Sequence, residues 1–66
     1  MEITCNGLEK EIDSNITVIQ LMDDLELNPD SVVVQCDGKI ISRDDYPVHT
    51  LKEGSVLELI RFVGGG

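Results

Sequence analysis

Residues 2–12 read EITCNGLEKEI. Asn6-Gly7 suits a two-residue type I′ turn, because both central positions of that turn need positive φ. Ile3 and Cys5 alternate on one side of the turn. Leu8 and Ile12 fall on one face of the return strand, with Lys10 between them. Lys10 sits where an apolar side chain would be easier. Its stem can cover the edge of a core while the ammonium reaches water. The stretch predicts a hairpin with strands at residues 2–6 and 8–12.

After the hairpin the period changes. In DSNITVIQLMDDLELNPD, Thr17 and Gln20 form a T-x-x-Q capping box, in which each side chain satisfies a free backbone donor. Ile16 and Leu21 are placed for a hydrophobic staple across that cap. Val18, Leu21, Met22 and Leu25 recur at i, i+3, i+4 and i+7, one helical stripe suited to packing on a sheet. Asp23, Asp24 and Glu26 then face water. Asn28-Pro29 ends the helix, since a residue before proline disfavours helical geometry.

The second half returns to strands. Val32–Cys36 carries three successive valines, which predicts a central strand buried on both faces. Asp37-Gly38 turns the chain, and Lys39 to Ser42 forms a short fourth strand. RDDYPVHT is polar and interrupted by proline, so it reads as a loop or a single helical turn. After Glu53-Gly54 comes SVLELIRFV, the last strand. Leu57, Leu59, Arg61 and Val63 share one face; Val56, Glu58, Ile60 and Phe62 share the other.

Strand, strand, helix, strand, strand, strand, with one helix to cover one sheet face, is an α+β arrangement. The order is that of the β-grasp, or ubiquitin-like, fold: a mixed sheet of four to five strands packed on one helix. The last strand of that fold lies parallel to the first in the middle of the sheet. Residues 1–63 form the domain, and Gly64, Gly65 and Gly66 form a flexible glycine tail that leaves a pinned strand.

Composition narrows the function. The 66 residues make one domain with a small core. The formal net charge of -8 lies wholly in residues 1–38; residues 39–66 balance four acids with four bases. Nucleic acid is repelled by such a surface, whereas a basic protein partner is steered to it. No apolar run approaches the roughly 20 residues that span a bilayer. The start carries no basic, apolar export signal, so a cytoplasmic setting is expected. Cys5 and Cys36 lack CxxC spacing and a His or Cys cluster, which argues for reduced core thiols and no metal. The single His49 and single Tyr46 complete no catalytic triad or metal set, so the chain is not expected to be an enzyme.

ITCNG, TVIQLMDDL, VVVQCDGKIISRDDY, LKEGSVLELIRFV and the terminal GGG, in that order, span the whole chain. As a set they resemble the ThiS-type sulfur carrier proteins of thiamine biosynthesis. The departures touch an edge and two turns: Lys10 stands where the family usually has an apolar residue, Asp37-Gly38 where Asn-Gly is more usual, and Glu53-Gly54-Ser55 where Gly-Asp is common. The resemblance implies that a ThiF-like adenylating enzyme, using ATP and magnesium, activates the α-carboxylate of Gly66. A sulfur donor, a sulfurtransferase, then displaces AMP, and the resulting thiocarboxylate goes to a ThiG-like thiazole synthase. The carrier binds no cofactor itself and is monomeric when free.

Simple chemistry agrees with this role. An α-carboxyl has a pKa of roughly 3.3–3.7, so it is an anion at neutral pH and able to attack phosphorus. Three glycines extend roughly 10 Å and carry no Cβ to obstruct a narrow channel. A molybdopterin-type sulfur carrier and a ubiquitin-like protein modifier share the same tail and stand as alternatives. A passive binding domain would work without its glycines. For the partner surface the expectation is that Ile60 and Phe62 dock, with Arg61 and nearby acids setting the register. The competing expectation is that the loop near Tyr46 folds over Ile60 and Phe62.

Overall fold

The computed structural model describes residues 1–62. Val63 and the glycines Gly64, Gly65 and Gly66 lie outside the described residues. The elements are β1 (Glu2–Cys5), β2 (Leu8–Glu11), α1 (Val18–Asp24), β3 (Val32–Cys36), β4 (Lys39–Ile41) and β5 (Val56–Arg61), with single 3₁₀ turns at Pro29–Ser31 and Arg43–Asp45. The five strands form one sheet in the order β2-β1-β5-β3-β4. β5 runs parallel to β1, pairing Thr4 with Val56 and Cys5 with Leu57. It runs antiparallel to β3, from Cys36 opposite Leu57 to Val32 opposite Arg61. This is the β-grasp arrangement, with the last strand central.

Both hairpins turn on left-handed residues. Asn6 and Gly7 have φ of 51° and 82°, and Asp37 and Gly38 repeat the pattern at 52° and 86°. Type I′ turns require that sign at both positions because it matches the twist of the flanking strands. The first strand therefore stops at Cys5 rather than residue 6, since Asn6 belongs to the turn, and its partner spans Leu8–Glu11.

The capping box forms as the sequence predicts. The Gln20 amide donates to Thr17 Oγ1 at 3.3 Å, and the Thr17 amide donates to Gln20 Oε1 at 2.8 Å. The helix ends earlier than Asn28-Pro29. Glu26 takes a left-handed φ of 58°. Its amide donates to the Asp23 carbonyl, and the Leu27 amide reaches back to the Met22 carbonyl. Those two bonds are a Schellman closure, which satisfies carbonyls the helix end would leave open.

Val18, Leu21 and Met22 are fully buried against Ile3, Val32, Val34 and Leu57. Leu25, Cys5 and Leu59 are half-buried at the edge of that core. Lys10 lies opposite Ile3 and is half-buried, consistent with a stem over the core edge. Tyr46 enters the same core, and its hydroxyl donates to the Val32 carbonyl at 2.9 Å.

Two expectations need correction. Leu8 does not join the packed face: it is 73% exposed. It stands opposite Cys5 on the edge strand β2, and a seven-residue helix, about 10 Å long, gives it no cover. β3 is interior but buried on one face only. Val32 and Val34 are buried while Val33 and Gln35 are half-buried, because α1 covers one side of the sheet and no described element covers the other.

Candidate functional site

The second face of the sheet carries the residues expected to dock. Val56, Glu58, Ile60 and Phe62 project there from β5 and its continuation, Val33 and Gln35 from β3, and Ile40 from β4. Ile60 is 48% exposed, Phe62 42% and Ile40 69%. Val33 stands opposite Ile60 and Gln35 opposite Ile40, so the apolar residues run across three strands. Acids border them: Glu58 within the patch, and Glu2, Glu9 and Glu11 on β1 and β2. The loop holding Tyr46 does not cover Ile60 and Phe62, because Tyr46 is anchored on the helix side.

Arg61 is not brought together with Ile60 and Phe62. Alternation along β5 puts it on the helix side of the sheet, opposite Val32. A partner lying flat on Ile60 and Phe62 does not meet its guanidinium from that face. Gly64, Gly65 and Gly66 were also expected in the site and lie outside the described residues.

The site includes two residues that sequence reasoning treated only as turn formers. The Asn6 side chain accepts from the Leu59 amide at 2.8 Å and donates to the Leu59 carbonyl at 3.4 Å. On the opposite side of β5, Asp37 Oδ1 accepts from the Val56 amide at 2.9 Å, and the Asp37 amide donates to the Val56 carbonyl at 2.8 Å. Each type I′ turn thus grips the backbone of the central strand. The Asn-Gly and Asp-Gly pairs were visible in the sequence; their common target was not.

Electrostatics sharpen the acidic border. Glu2 has its carboxyl pushed above the ordinary range, first by a hydrogen bond with Glu9, then by the charges of Glu9, Glu11 and Glu53. The Met1 ammonium lies 3.1 Å from Glu11 and also donates to the Ile12 carbonyl at 2.6 Å. Burial raises both thiols, Cys5 despite the nearby Lys10 and Cys36 with help from the Asp37 charge. Raised thiols hold little thiolate, so neither is an activated nucleophile. Among the described residues no group of three or more His, Cys, Asp or Glu is placed to hold a metal, and no helix is long and apolar enough to cross a membrane.

A central strand held from both sides, running out toward a glycine run beside an uncovered apolar face, is the architecture of a ubiquitin-like carrier domain. The ThiS family profile matches residues 1–66, and the chain belongs to that family of sulfur carrier proteins, which are not themselves enzymes. It is similar to the crystal structure of the thiamine biosynthesis protein ThiS from Geobacter metallireducens, with a TM-score of 0.86, 29% identity and full coverage of both chains. The solution structure of a thiamine biosynthesis protein from the same organism gives a TM-score of 0.81 at 29% identity, covering 100% of this chain and 88% of that one. Two curated relatives are named thiazole synthase. That of Paramagnetospirillum magneticum is 29% identical and that of Magnetococcus marinus 30%, each over all 66 residues of this chain. The chain spans 20% of the length of each.

Proposed function

We propose that this chain carries sulfur on the α-carboxylate of Gly66 for thiazole formation. A ThiF-like enzyme with ATP and magnesium would present the α-phosphorus to the Gly66 carboxylate. A carboxylate oxygen attacks, pyrophosphate leaves, and the acyl adenylate replaces a poor electrophile with one that has a good leaving group. Sulfide attacks the acyl carbon. AMP departs, leaving a thiocarboxylate. Where a sulfurtransferase persulfide attacks instead, a second thiol cleaves the resulting acyl disulfide and is itself oxidised to a disulfide with the transferase cysteine. The ThiG-like thiazole synthase is the acceptor.

The observation that carries this reading is the position of β5. It is the central strand, gripped at Val56 and Leu59, and residue 62 is the last before the valine that leads into the glycines. A rigid strand fixes where a thin tail begins, so docking the sheet aims the carboxylate. Ile60 and Phe62 supply the docking anchors, because an aromatic beside an aliphatic neighbour is the usual make-up of a binding hot spot. The acids on the same face favour a basic partner. The two relatives named thiazole synthase, a fifth of which matches this chain, favour the thiazole branch over a molybdopterin-type carrier.

Intact mass spectrometry tests the reading. The chain is incubated with the ThiF-like enzyme, magnesium-ATP and a sulfide source. The expected product has gained one sulfur in exchange for one oxygen, and a variant lacking Gly65 and Gly66 gains none. An unchanged mass in the full chain, or an equal gain in the shortened one, overturns it.

A further inference from the structure

The helix side of β5 holds a second open surface. α1 stops at Asp24, and beyond it a groove of about 440 Å³ opens between the helix end and the sheet. Leu8, Leu25, Leu27, Val32 and Leu59 supply its apolar lining. Arg61 is the one charged residue that lines it among the described residues. It places a cation at the groove of a chain whose net charge is -8. Arg61 is exposed and forms no ion pair among the described residues.

The backbone at the same place is also open. The Phe62 amide donates to the Ser31 carbonyl, and the Asp37 amide donates to the Val56 carbonyl. Even-numbered residues of β5 therefore turn their polar groups toward β3, and odd-numbered ones toward β1. Leu57 meets the Asn6 amide, and Leu59 meets the Asn6 side chain. Next in that row is Arg61, whose amide and carbonyl point past the end of the Asn6-Gly7 turn, where β1 has already stopped. One step of strand edge is left beside an apolar groove and a cation.

We infer that this groove docks an extended protein segment carrying an apolar side chain and a carboxylate. The segment pairs with the Arg61 backbone as an added strand, which gives main-chain hydrogen bonds and leaves alternate side chains to set specificity. Its apolar side chain enters between Leu8, Leu27 and Leu59. Its Asp or Glu accepts from the Arg61 guanidinium, whose fork of donors matches a carboxylate. The opposite face, bordered by Glu2, Glu9 and Glu58, selects a basic partner. The two surfaces therefore call for opposite charges, and both sides of β5 can be engaged at once. Docking in the groove is independent of the fate of the tail.

Peptide selection tests it. A random peptide library displayed on phage is panned on the folded chain and counter-selected on Arg61→Gln. Recovered sequences should combine an apolar residue with a nearby Asp or Glu. A synthetic copy should bind Arg61→Gln about tenfold more weakly, as expected for loss of a charged hydrogen bond. Leu8→Asp, a change at an exposed position, should weaken binding similarly by placing a carboxylate in the groove. Bound peptide should shift the amide resonances of Leu27, Leu59 and Arg61 and leave those of Val33 and Ile40 in place. Recovery of no sequence, sequences without acid, equal affinity for Arg61→Gln, or shifts centred on Val33 and Ile40 would each overturn the proposal. So would sedimentation showing the groove filled by a second copy of the chain.

Discussion

The Asn6 carboxamide closes two hydrogen bonds with the backbone of Leu59, 53 residues away, one to its amide and one to its carbonyl. It thereby extends the β1–β5 pairing by one step after β1 has ended. Asn6→Gly keeps the positive φ and removes both bonds, so it should destabilise the fold by about 1–2 kcal/mol. Asn6→Ala should lose about 1 kcal/mol more, because a Cβ is forced into left-handed geometry without a local hydrogen bond in return. Thermal melting gives the order, and hydrogen exchange at the Leu59 amide gives the cause. A Leu59 amide still protected in Asn6→Gly would show that the clamp holds nothing.

The helix terminus offers the opposite sign. Glu26 closes the Schellman motif at a φ of 58°, where glycine is the usual occupant. Glu26→Gly relieves about 1–2 kcal/mol of crowding against about 0.5–1 kcal/mol of added unfolded-state freedom. The variant should be more stable by about 0.5–1 kcal/mol, a rise of a few degrees in Tm. A lower Tm would mean that the Glu26 side chain contributes more than its backbone strain.

Phe62 separates docking from folding. It is more than a third exposed on the uncovered face, so Phe62→Ala should leave the Tm of the free domain nearly unchanged. Affinity for the ThiF-like enzyme should fall by on the order of 1–2 kcal/mol or more. Calorimetry beside thermal melting distinguishes the two effects. Intact affinity with a large fall in Tm would place Phe62 among the packing residues.

Glu2 sets a pH dependence. Its folded-state carboxyl holds a proton more tightly than in the unfolded chain, because of its hydrogen bond with Glu9 and because Glu9, Glu11 and Glu53 oppose its charge. The folded state then binds more protons, so stability falls as pH rises from the ordinary glutamate range through the raised Glu2 value. Glu2→Gln removes that repulsion. It should melt higher than the parent at neutral pH, converge with it in acid, and lose its advantage in high salt. A variant that melts lower at neutral pH would show that the Glu2 carboxylate is favourably held.

Local chemistry was legible in the sequence wherever the deciding interaction is short. Asn6-Gly7 and Asp37-Gly38 announce their turns through backbone sterics, Thr17 and Gln20 cap their helix across three residues, and period-two alternation assigns Ile60 and Phe62 to one face and Arg61 to the other. Family membership followed from the same ordered motifs. Other features depend on contacts that no local pattern encodes. Leu8 has the apolar character of a packed residue, yet it is exposed because the helix above the sheet ends too soon. The early end is itself set by Glu26 adopting a conformation its side chain does not advertise. Asn6 and Asp37 find the same central strand only once the sheet order places β5 between their two hairpins. Propensity and capping act over a few residues and can be read along the chain. The cover over a face, the grip on β5 and the open edge at Arg61 arise where distant segments meet, and only the tertiary structure decides them.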